Sequence, residues 1–98
     1  MNNALEPIDA ESLSINALVW IASDSVMMRR FLDLTGIEAD QIRVAAQEPA
    51  FLAGVLKFIL AHEPTLMAFA QSADIHPSTV GKALRTLPGG NDDYLASV

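Results

Sequence analysis

Apolar residues return every three or four positions through successive blocks of the chain, and no block shows the sustained alternation of a strand. Leu13, Ala17, Trp20 and Ile21 form one such stripe, predicting a helix from Pro7 or Asp9 to Ser23. "DSVMMRRFLDLTG" predicts a second, capped by Asp24 and stopped by Gly36, with Val26, Met27, Phe31 and Leu34 inward. A short third helix is expected over Ala39 to Gln47 with Ile42, Ala45 and Ala46 inward, and a fourth from Glu48 to Ala61. That fourth block, "FLAGVLKFILA", is apolar almost all round, as a central core helix must be. Pro64 to Ala73 and Pro77 to Leu87 complete the series. Pro7, Pro49, Pro64 and Pro77 each precede an apolar block, and all four read as helix starts, where a missing N–H costs nothing.

The expected fold is therefore all-α, a compact bundle of five or six short helices ending in a helix-turn-helix-like pair. Residues 1–88 read as a single helical domain and 89–98, within "PGGNDDYLASV", as a flexible acidic C-terminal tail.

At 98 residues and 51% hydrophobic, the chain is small for the apolar surface it has to hide, so some of that surface is expected to face a partner. With no cysteine, disulfides, thiolate metal sites and cysteine nucleophiles are excluded. The opening "MNNALEPIDAES" has no Lys or Arg for a secretory signal, and Phe51 to Ala61 is too short to span a bilayer. A cytoplasmic protein without a membrane segment is the expectation. Twelve acids against six bases give a net charge of -6, which opposes generic binding to polyanions.

One stretch pulls the other way. "FAQSADIHPSTVGKAL", residues 69–84, has the order of a DNA-reading helix-turn-helix: Ala70 as the small contact residue, Ile75 after the turn, Val80 with Ala83 or Leu84 as the clamp. Asp74 stands where such units usually carry Gly, and Asp is among the few side chains that visit the left-handed region. The second helix would offer His76, Ser78, Thr79, Lys82 and Arg85 to DNA. A dimer using Lys82 and Arg85 from each chain neutralises about four phosphates, against the roughly 6–10 contacts of strong binders. Two short helices crossing at an alanine are also an ordinary way to finish a bundle.

Other constellations carry less. His62-Glu63 lacks the second His that a zinc-protease helix needs, since position 66 is Leu, and no metal or cofactor is expected. Ser78 beside His76 reads as helix-start chemistry, no Gly-x-Ser-x-Gly elbow is present, and no catalytic residues are assigned. Within "MMRRF", Met28, Arg29 and Arg30 are candidate partner contacts, because thioether side chains repack easily; the plainer reading keeps Met27 in the core and the arginines in water.

From Phe31 to Pro77 the chain resembles a family of short bacterial proteins known as domain of unknown function 3572. The likeness is carried by "FLDLTG", by "IRVAAQEPAFLAGVLKFIL" and by "LMAFAQSADIHP". It implies a small all-helical protein and brings no activity, ligand or site residue. The favoured reading is a non-enzymatic domain that self-associates or docks to a protein partner. The alternative is DNA binding through residues 64–87, with an enzyme a distant third.

Overall fold

The computed structural model describes residues 9–90. Among the described residues, six α-helices occur in chain order: α1 (Ala10–Ala22), α2 (Ser25–Thr35), α3 (Ile42–Ala45), α4 (Phe51–Leu60), α5 (Glu63–Ala73) and α6 (Pro77–Thr86), with a 3-10 turn over Ala39–Gln41 leading into α3. There is no strand among the described residues, and the fold is all-α.

Local chemistry sets most helix ends. The Asp9 carboxylate accepts from the Ser12 N–H (3.2 Å) and the Ser12 hydroxyl (2.8 Å) at the head of α1. The hydroxyl bond, and after it the N–H, hold the Asp9 carboxyl below its ordinary value of 3.8. Because the folded value is the lower one, the cap's contribution is present above the unfolded value and fades as pH falls through the folded one. Asp24 caps α2 through the Val26 and Met27 N–H groups. Gly36, at φ 76°, ends α2 with its N–H on the Leu32 carbonyl at 2.9 Å.

Pro64 and Pro77 lie in the first turns of α5 and α6, as their spacing predicts. Pro49 does not start α4. It occupies the second position of a turn closed by Phe51 N–H on the Glu48 carbonyl (3.0 Å), and the helix begins two residues later. Pro7 lies outside the described residues.

The apolar α4 is central, packing against α1, α5 and α6, and it turns into α5 at 109°. Ala53, Val55, Leu56 and Ile59 are buried on it, against Leu13, Ala17 and Ile21 of α1 and Val80, Ala83 and Leu84 of α6 in one core. Phe31 joins α2 to this core, meeting Phe51 and Phe58 edge-on at ring separations of 6.2 and 5.4 Å. Among the described residues, the two buried polar side chains are both paired: Ser14 donates to the Ala10 carbonyl, and the Thr65 hydroxyl lies 2.8 Å from His62 Nδ1.

Two expected stripes are corrected. Val26 and Leu34, expected inward, are each 69% exposed. The inward face of α2 is Met27, Met28, Phe31 and Leu32, because the slot between Phe51 and Phe58 fixes the rotation of the helix about Phe31. In α3, Ile42 and Ala45 are half-buried and Ala46 is exposed. A single turn presents too little length to bury an entire face. No single helix among the described residues is long and apolar enough to cross a membrane.

Candidate interaction surfaces

Three surfaces stand out. The first is the outer side of α1. Leu13, Ala17 and Ile21 commit one stripe of this helix to the core, leaving Ile15 and Val19, one turn apart, exposed at 47% and 63%. No charged residue occurs from Ser12 to Ser23. A helix face bathed in solvent ordinarily carries charges; here more than two turns carry only Ser, Asn and apolar residues in a chain of net charge -6. Trp20 at the border of this face is half-buried and packs on Phe69 with ring centroids 5.4 Å apart.

The second surface is the α5–α6 unit. Asp74 takes the left-handed conformation (φ 59°, ψ 48°) that the turn demands. Its N–H bonds to the Gln71 carbonyl (3.2 Å) and that of Ile75 to the Ala70 carbonyl (3.0 Å), so α5 closes in a Schellman motif. Ala70, Phe69, Val80 and Ala83 are buried as the motif requires. Asp74→Gly is expected to change stability by less than about 1 kcal/mol, whereas Asp74→Val should cost about 1–2 kcal/mol or more, since a β-branched side chain tolerates positive φ poorly. Urea unfolding of the two variants beside the parent measures the difference.

The five candidate DNA contacts separate by environment. His76 is the N-cap of α6: its Nδ1 accepts the Ser78 N–H at 3.1 Å, and the Ser78 hydroxyl lies 2.8 Å from the same nitrogen. The imidazole is thereby committed to the helix start, and Thr79 is half-buried. Ser78, Lys82 and Arg85 are exposed at the spacing of one helix face. α6 carries no acid.

The third surface is a cleft of about 370 Å³ between α4 and α6, walled by Lys57, Leu60, Gly81, Leu84, Arg85 and Gly90. Gly81 leaves α6 without a side chain there, and Arg85 Nη1 lies 3.9 Å from where a Cβ at position 81 would stand. Lys57 donates to the Gly89 carbonyl at 3.2 Å. Gly89 and Gly90, expected to belong to the tail, are packed against the body instead: a Cβ on Gly89 would stand 3.1 Å from that of Ala50, and one on Gly90 would overlap the Leu84 carbonyl oxygen. The rest of the expected tail, residues 91–98, lies outside the described residues.

A family model described as "Protein of unknown function (DUF3572)" matches residues 7–90. The chain belongs to that family. No curated protein and no solved structure matches it. The match ends at Gly90, so the DUF3572 unit includes the Leu87–Gly90 turn that closes onto α4.

The candidate partner residues of "MMRRF" divide in this DUF3572 chain. Arg29 is exposed, Met28 is half-buried against the core, and Arg30 lies over the Phe58 ring at 5.4 Å with Nη1 3.7 Å from Met27 Sδ. Arg30 thus extends the aromatic cluster around Phe31, a role that a charge beside an apolar stripe does not reveal. The α1 face escapes sequence reasoning for a different reason. Its buried stripe is legible by spacing, and attention to that stripe hides the signal on its other side, the twelve consecutive uncharged residues from Ser12 to Ser23.

Proposed function

We propose that this DUF3572 protein acts by contact and not by catalysis, and that two copies associate through the outer face of α1. The observation that carries the reading is the exposed Ile15–Val19 pair on a helix without charge from Ser12 to Ser23. Copies of net charge -6 repel one another, and the repulsion is least where acids are absent. A second copy presents the same uncharged face, so a two-fold contact is self-complementary.

A stable interface covers about 800 Å² per partner, roughly an eighth of the 6412 Å² of accessible surface on this chain. The outer face of a helix about 20 Å long is smaller than that, so the association expected is concentration-dependent. Sedimentation velocity should show the average mass rising with concentration, and Ile15→Lys with Val19→Lys should hold the chain monomeric with its helical circular dichroism intact. A monomer at all concentrations, or association that survives both lysines, contradicts this interface.

A second reading rests on the alignment of Ser78, Lys82 and Arg85 along the exposed side of an acid-free α6 behind a helix-turn-helix turn. It assigns residues 64–87 to DNA. Low-salt retention of DNA that weakens for Lys82→Ala and Arg85→Ala is the expected result. Indifference of the parent and both variants to DNA removes this reading.

A further inference from the structure

Two helices of this fold turn a long uncharged run toward solvent, and they touch. No charged residue occurs from Ser12 to Ser23 along α1, and none from Pro64 to Ala73 along α5. Pro64, Met67, Ala68 and Gln71 recur at the spacing of one helix face, and all four are exposed, Met67 at 50%. The exposed sides of α2, α3 and α6 instead carry Arg29 and Asp33, Arg43, and Lys82 and Arg85. Trp20, half-buried at the border of the α1 face, packs on Phe69 of α5 with ring centroids 5.4 Å apart. Ala68, next to Phe69, is already on the open face of α5, so the uncharged surface runs from Val19 across Trp20 onto α5.

We propose that the outer face of α5 flanks the α1 contact and is covered by the same second copy, an inference that rests on self-association through α1. Area supports that occupant. A stable interface covers about 800 Å² per partner, more than the outer face of α1 offers. With 11 residues α5 is about 16 Å long, against about 20 Å for α1, so its face nearly doubles the patch without adding a charge.

Charge points the same way. Each copy carries a net charge of -6, and two copies meet least repulsion where the surface around the α1 faces is also free of acids. A partner selected by charge finds nothing to read on this surface, whereas a second copy brings an equally uncharged one.

The test is sedimentation velocity of the full chain across a concentration series, with Met67→Lys and Gln71→Lys beside the parent and Val44→Lys as the control. Val44 is 60% exposed on α3, which belongs to neither face. Each lysine adds one positive charge to a chain of -6 and so eases repulsion between copies; one that weakens association acts by its position. Expected are an association constant about tenfold lower for Met67→Lys, a smaller loss for Gln71→Lys and none for Val44→Lys, all with helical circular dichroism intact. Should Met67→Lys disturb the fold, the exposed polar Gln71 decides alone. Association indifferent to both α5 lysines but abolished by Ile15→Lys with Val19→Lys overturns the α5 flank and leaves the α1 contact standing. Equal weakening by Val44→Lys, or association lost with the α5 lysines and kept with those on α1, overturns the flank as well. A parent that is monomeric at all concentrations removes both.

Discussion

Phe31→Ala is expected to lower the unfolding free energy by about 3–5 kcal/mol. Phe31 is 1% exposed and is the one buried residue that α2 contributes to the core. It meets both Phe51 and Phe58 edge-on, so truncation loses two aromatic contacts along with its burial. It also leaves a void facing α4 that the backbone of a short helix closes only in part. Domains of this size have about 5–15 kcal/mol in total, and each kcal/mol moves Tm by about 4–8 °C. Thermal and urea unfolding by circular dichroism measure the loss. Leu34→Ala on the same helix is the control: Leu34 is 69% exposed, and its truncation should stay within about 0.5 kcal/mol. Comparable losses for the two variants would contradict a rotation of α2 that points Phe31 inward and Leu34 outward.

Gly90→Ala should be nearly as damaging, although it adds only one methyl. The new Cβ would overlap the Leu84 carbonyl oxygen, a backbone atom of α6 that has no rotamer by which to give way. The turn must then lift off, taking with it the Leu87 N–H bond to the Leu84 carbonyl (3.1 Å), the Gly90 N–H bond to the Leu87 carbonyl (3.0 Å) and the grip of Lys57 on Gly89. If Leu87 is exposed in the process, the loss is about 1.5–3 kcal/mol. Hydrogen exchange should report the change first at the Leu87 and Gly90 amides, with α1 and α2 protected as before. Gly81→Ala is the contrast, since a Cβ there meets only Arg85 Nη1 at 3.9 Å and a helical Gly→Ala change is otherwise favourable.

These two variants mark the limits of what the sequence makes legible. Features that depend on neighbours in the chain are readable from it. Asp24 as a cap, Gly36 as a stop, Pro64 and Pro77 at helix starts and the left-handed Asp74 all arise from backbone chemistry within four residues. Features that depend on distant partners are not. Val26 and Leu34 make as good a stripe by spacing as Met28 and Leu32, and only the position of Phe51 and Phe58 on another helix decides between them. Pro49 looks like Pro64 in sequence, yet the Glu48–Phe51 turn absorbs it.

The same division holds for the candidate surfaces. His76 and Ser78 are legible as helix-start chemistry, because the cap is a local contact. Lys57 and Arg85 are 28 residues apart and reach one cleft only because α4 and α6 pack together. Arg30 reads as a surface cation until Phe58 is placed beneath it. For Ile15 and Val19 the missing element is burial itself: both fit a helix that is apolar on every side, and only the packed structure shows which side of α1 is left outside.

The function proposed for this chain turns on whether two copies meet through that side of α1. The most direct measurement is an isotope-filtered NMR experiment on an equal mixture of carbon-13-labelled and unlabelled chains at high concentration, which records only contacts between different molecules. Association through α1 predicts intermolecular contacts from the Ile15 and Val19 methyls to α1 of the other copy. Their absence in a sample that remains monomeric, or intermolecular contacts confined to other helices, would contradict it.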